Sequence, residues 1–163
     1  MSDTTPLETI IPRILDHFAA KNAAREQALS ASRAIIRMSA NSIRAVHRGE
    51  FEQAAQQLDE AKQVRDAAVA ALEGHADVYY AGFLHDAQKE YAEARTTLAL
   101  LSGGSIPAPE ELGVEYPAYL NGIAEAVRQV RGTSVNPVAD VEHVLVTAGT
   151  GVPTSGLILG VDR

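Results

Sequence analysis

Cysteine and tryptophan are absent from this 163-residue chain, and each absence narrows what it can be. Without cysteine there is no disulfide, no zinc–thiolate site and no thiol nucleophile. Aromatic residues make up 5% of a chain that is 46% hydrophobic. Alanine and leucine must therefore fill the core, which suits closely packed helices better than a β-sandwich. Lysine is scarce, standing only at 21, 62 and 89, so arginine supplies most of the positive charge. With alanine abundant and the net charge -7, this balance hints at a salt-tolerant source. The same charge argues against bulk attraction to nucleic acid or an anionic membrane, but it leaves room for a local basic patch. No apolar run approaches the ~18 residues that span a bilayer. The first residues lack the charged and apolar regions of a signal peptide, so a cytoplasmic location is expected. The length suits one domain with a real core.

What is present is helical periodicity. Thr4, Thr5 and Pro6 read as a helix start, and Leu7, Ile10, Ile11, Ile14, Phe18, Leu29, Ile36 and Ile43 recur at helical spacing to about Arg48. Pro12 should kink this helix or mark an early restart. Gly49 stops it, a second helix runs from Phe51 to about Glu73, and Gly74 stops that one. A third is expected from about Ala76 to Leu101, ended by Gly103 and Gly104, and a fourth from about Ala118 to Val130 after a proline-rich loop. From about Arg131 the composition turns to Gly, Thr and Val. Val141–Thr147 and Leu157–Val161 are short strand candidates, marginal in isolation. The expected fold is an all-α antiparallel bundle of long helices over residues 1–131, with an irregular C-terminal tail over 132–163.

Two charged patterns carry chemistry. In GFLHDAQKEYAEA, Gly82–Ala94, the acids Asp86, Glu90 and Glu93 fall within an arc of roughly 60° on an ideal helix. Glu90 lies beside the apolar stripe of Tyr80, Leu84, Ala87, Tyr91, Ala94 and Leu98, so it belongs at the edge of a packed interface. Acids massed there can hold a hard divalent cation, or they can form a solvated acidic face. On the first helix Arg33, Arg37, Arg44 and Arg48 also share roughly a 60° arc. Guanidinium forks in a row can grip successive phosphates, or they can pair with acids of neighbouring helices. Lys21, Arg25 and His47 could extend the patch. Tyr80 and Tyr91 belong to the apolar stripe, whereas Tyr79 shares the acidic face and is the better candidate for stacking on a base. The five histidines are scattered with no metal-ligand spacing. No phosphate-binding glycine loop or serine-hydrolase elbow is present.

Three segments in order resemble the translin family, meaning translin and translin-associated factor X, and its archaeal members in particular. REQALSASRAIIRMSANSIRAVHRG (25–49) is similar to the family's long first helix. GFLHDAQKEYAEA is similar to its Gln-Glu-Tyr-x-Glu-Ala signature, and YPAYLNGIAEAV (116–127) to its Tyr-Leu-x-Gly-x-Ala-acid motif. The resemblance implies a hollow homo-oligomeric shell, commonly of eight subunits, that binds single-stranded RNA or DNA. It also implies a metal-dependent endoribonuclease site in the nuclease-competent members. Carried over by motif, Glu90, Glu93 and Glu125 would be the catalytic and metal-binding acids, with Mg²⁺ as the cofactor and Mn²⁺ as the alternative. Arg33, Arg37, Arg44 and Arg48 would hold the RNA backbone. The chain departs from the family pattern where a further acid is expected one turn after Glu125, because Gln129 stands there. A neutral amide cannot serve as a base. Two other readings therefore stay beside the nuclease: a non-catalytic single-strand binder of the same fold, and a structural helical oligomer.

Overall fold

A computed structural model describes residues 7–131 of the chain. The two strand candidates and the tail fall outside them. Six helices follow in order: α1 (Leu7–His47), α2 (Phe51–Ala71), α3 (Ala76–Tyr79), α4 (Phe83–Ser102), α5 (Pro109–Leu112) and α6 (Tyr116–Arg131). No strand occurs among the described residues, and none of the described helices is long and apolar enough to cross a membrane.

α1 and α2 form an antiparallel hairpin whose turn uses Gly49 at φ +79°, as its sequence position required. α4 then packs against α1 and α2 on one side and against α6 on the other. Being covered on both sides, it buries an unbroken run from Tyr91 to Ala94. Its helix ends at Gly103 in the left-handed conformation, and the Gly104 N–H returns to the Ala99 carbonyl at 2.8 Å. The core is alanine-rich as composition demanded. Ile35, Leu58, Leu84 and Tyr91 supply the bulk, and Ala28, Ala61, Ala87, Ala92 and Ala94 allow close approach. Two buried serines tie the helices together: Ser42 Oγ donates to the Ala54 carbonyl at 3.0 Å, and Ser32 Oγ to the Phe83 carbonyl at 2.7 Å.

The structure departs from the periodicity in three places. The expected third helix is two helices, because Gly82 adopts φ +104° and breaks the chain between Tyr79 and Phe83. Tyr80 consequently leaves the apolar stripe and is 74% exposed, whereas Tyr91, fully buried, is the core residue expected. The proline-rich loop contains the short α5, started by Pro109 and secured by the Glu111 carboxylate, which accepts the Ala108 N–H at 3.0 Å. Pro12 lies inside α1, in its first 17 residues, where every side chain except Lys21 is exposed. At 1.5 Å per residue α1 is about 60 Å long, and only its later part is buried against the bundle.

Candidate nucleic-acid interface and acidic cluster

Gly122 sets the geometry of the acidic cluster. A Cβ there would lie 2.7 Å from the Lys89 carbonyl oxygen and 2.8 Å from both Ala92 Cβ and the Glu93 nitrogen. Only glycine lets α6 sit this close to α4. The contact brings Gln129 of α6 against Glu93 of α4, with Nε2 donating to Oε1 at 2.6 Å. Glu93 is therefore 5% exposed, while Glu90, the acid nearer the apolar stripe, keeps about a third of its side chain in water. Glu90 thus lies at the edge of the interface, as its place beside the stripe led one to expect, while α6 decides that Glu93 is the acid covered.

Burial pushes the Glu93 carboxyl above its ordinary range, and the neighbouring Glu90 charge adds to this; Lys89 and Arg128 oppose it. Glu90, Glu125 and Glu93 each have a protein partner. Lys89 Nζ pairs with Glu90 at 2.9 Å, Arg128 pairs with Glu125, and Gln129 holds Glu93. The hydrogen bond to Glu90 raises the Lys89 ammonium, burial opposes it, and the charges of Glu90, Glu93 and Asp86 raise it further. Lys89 thus supplies the positive charge these acids need. Carboxylate oxygens suit Mg²⁺ in kind. As placed, however, they are engaged, and among the described residues no group of three or more His, Asp or Glu side chains is arranged to hold a metal.

On α1, Arg33, Arg37, Arg44 and Arg48 are all exposed. Among the described residues only Arg48 of these four pairs with an acid, and that acid, Glu50, lies in the turn before α2. Arg44 donates to Asn41 Oδ1 at 2.6 Å, and Arg48 grips Glu50 through Nε at 3.0 Å and Nη2 at 2.5 Å. That pairing raises the Arg48 guanidinium and lowers the Glu50 carboxyl. The row of four thus has two open members, Arg33 and Arg37, which carry no ion pair among the described residues. Lys21 and Arg25 are paired with Asp77 and Glu26.

Tyr79 does not share a face with the acids, since it sits in α3. Its hydroxyl donates to Glu115 Oε1 at 2.9 Å and accepts from Gln88 Nε2 at 3.3 Å, while Gln88 Oε1 accepts the Glu115 N–H at 3.0 Å. Burial raises the Tyr79 phenol; the Gln88 hydrogen bond opposes this and Glu115 reinforces it. Gln88 and Glu115 were not legible as partners in the sequence, because 27 residues and a loop separate them. A cavity of about 500 Å³ lies apart from the acids, between α2, α4 and the loop before α5. Its cations, Lys62 and Arg95, are already paired with Asp66 and Asp59.

Among solved structures, apo-NeC3PO superposes with a TM-score of 0.66, covering 76% of this chain and 70% of its own at 18% identity. The fold is of the translin and C3PO type. That likeness concerns the path of the helices. No family model matches the chain. Two curated proteins share a short segment. The 17-hydroxy-3-oxo-4-pregnene-20-carboxyl-CoA lyase of Mycobacterium tuberculosis is 68% identical over 65 residues, 38% of this chain and 17% of the lyase. The steroid side-chain-cleaving aldolase of Thermomonospora curvata is 66% identical over 64 residues, 37% of this chain and 16% of the aldolase. The chain thus spans about a sixth of the length of these relatives. An alignment of 65 residues is also about twice the length of the 132–163 tail, so it must include part of the described helices.

Proposed function

We propose that this translin-type protein binds single-stranded nucleic acid, RNA in the first place, as a homo-oligomer. The observation that carries the reading is the solvent-facing arginine row on α1, in which Arg33 and Arg37 stand without an acidic partner among the described residues. Guanidinium groups on one helix face offer planar donor forks to successive phosphates. They do so despite the chain's overall negative charge. Self-association is supported by the first part of α1, where Ile10, Ile14, Leu15 and Phe18 are 39–61% exposed along one helix. A second copy of the chain is the occupant that would cover that row, and the shell of eight subunits belongs to the same reading. So do the cytoplasmic location and the archaeal type.

The test is the salt dependence of binding to a fluorescent single-stranded RNA. Each phosphate contact contributes a log–log slope of roughly -0.7 for single strands. Arg33→Ala combined with Arg37→Ala should therefore weaken binding and flatten the slope by roughly 1.4. An unchanged slope sinks the reading and leaves a structural helical oligomer.

Endoribonuclease chemistry at Glu90, Glu93 and Glu125 with Mg²⁺ is the further proposal that the family resemblance suggests. The partners these acids have in the fold weigh against it, so binding without cleavage is the preferred form. Incubation of single-stranded RNA with Mg²⁺ or Mn²⁺ decides. Cleavage lost in Glu90→Ala and Glu93→Ala would restore the nuclease, and intact RNA would confirm the non-catalytic binder. The likeness to the two lyases covers so little of them that no lyase activity is proposed.

A further inference from the structure

A smaller recess opens where α3, the first turns of α4 and the residue before α6 meet. It measures about 140 Å³ and is lined by Tyr79, Tyr80, Gly82, His85, Gln88 and Glu115. Tyr80 contributes a ring that the fold leaves largely in water, standing edge-on to Tyr79 with centroids 4.8 Å apart. An aromatic face of this kind is a platform on which a base can stack. The polar groups behind it are fixed in place. Gln88, 1% exposed, holds both the Tyr79 hydroxyl and the Glu115 backbone, and Tyr79 in turn donates to Glu115 Oε1. One oxygen of Glu115, Oε2, has no hydrogen-bond partner among the described residues.

Size and polarity together narrow the ligand. An apolar cavity of about 150 Å³ holds benzene, so a recess of this volume matches one six-membered ring better than a fused pair. A carboxylate accepts hydrogen bonds and donates none, so the ring must bring an N–H donor. Of the two RNA pyrimidines, cytosine presents an amine at C4, which Glu or Asp can accept, whereas uracil's N–H on that edge, at N3, is flanked by two carbonyl oxygens that repel a carboxylate. Its rim is also tied to α1, the helix that carries the arginines. Ser32 Oγ is bonded to the carbonyl of Phe83, the residue after Gly82, and Arg33 is the next residue along α1.

We infer that this recess is a base-binding site for a single cytosine of a bound strand. The ring stacks on Tyr80, the C4 amine donates to Glu115, and the adjoining phosphate is served by Arg33. The inference rests on the single-strand reading above and gives it a base preference that phosphate contacts alone cannot supply.

The experiment measures anisotropy of labelled 12-nucleotide oligocytidylate and oligouridylate on the full chain at low salt, for the wild type, Glu115→Gln and Tyr80→Ala. Cytidine 5′-monophosphate and uridine 5′-monophosphate are titrated in parallel, with the tyrosine and histidine NMR signals as readout. Tyr80 is exposed and Glu115→Gln keeps an acceptor for Tyr79, so both variants should fold. The wild type should prefer oligocytidylate by roughly tenfold. Glu115→Gln should abolish that preference, and Tyr80→Ala should weaken both strands by roughly fivefold or more. Equal affinity for the two strands, or a preference that survives both variants, overturns the inference while leaving strand binding intact. If the wild type binds neither strand, the single-strand reading fails. The mononucleotide titration then decides the recess: shifts with cytidine 5′-monophosphate alone support it, and no shifts end it.

Discussion

Replacing Gly122 by alanine tests whether the α4–α6 contact is as close as described. Two effects oppose each other. Alanine favours a helix interior over glycine by about 1 kcal/mol, so on an exposed face the change would stabilise. At Gly122 the added methyl meets the Lys89 carbonyl at 2.7 Å and the Glu93 nitrogen at 2.8 Å, and backbone atoms cannot swing aside. Overpacking of this kind costs about 1–3 kcal/mol, and the upper end applies where no rotamer offers relief. The net expectation is a loss of about 1–2 kcal/mol, or a fall in Tm of roughly 3–8 °C for a domain of this size. Thermal unfolding followed by circular dichroism at one fixed protein concentration is the assay. Gly104→Ala serves as the control, because its nearest neighbours lie 3.6–3.8 Å away, in ordinary contact. A Gly122→Ala protein as stable as the wild type, or more so, would refute the close approach. It would also remove the reason given for the burial of Glu93.

Other expectations follow from the same interfaces. Glu93 is raised above its ordinary value of 4.5, so the folded state binds its proton more tightly than the unfolded chain does. Stability should then fall as pH rises from about 4.5 through the raised value. Glu93→Gln should flatten that slope in urea titrations and be more stable than the wild type at neutral pH; an unchanged slope would place the carboxylate in water. Tyr91→Ala empties the largest fully buried side chain and should cost about 3–5 kcal/mol in chemical denaturation. Ser32→Ala removes the second donor to the Phe83 carbonyl, which keeps its helical partner, and should cost about 0.5–1.5 kcal/mol, most visibly as faster hydrogen exchange at the start of α4.

Much of the helical path was legible because it follows from local rules. The alanine-rich composition, the 3.6-residue spacing in α1 and α2, and the glycines at 49, 74 and 103 mark elements and their ends without tertiary information. The break at Gly82 was not legible, since the apolar stripe passes through it and only the left-handed conformation reveals the turn. Tyr80 moved from core to surface as a result. At the acidic cluster, periodicity placed Glu90 at the edge of an interface, with Glu93 on the same helix face. The order of their burial depends on α6, which no spacing within α4 encodes. Gln129 illustrates the same limit: in sequence it is a missing acid, whereas in the fold it is the hydrogen-bond donor that lets Glu93 be buried. The arginine row was half legible, because Glu50, lying just past the helix end, takes Arg48 out of it.

If a second copy covers the exposed opening stretch of α1, as proposed, secondary structure itself depends on how much protein is in the tube. A lone amphipathic helix of some 15 residues is marginal in water. Dilution that separates copies should therefore melt residues before about Ala24, and trypsin should then cut at Arg13 in dilute samples while sparing concentrated ones. Mean ellipticity becomes a gauge of assembly, read without any label.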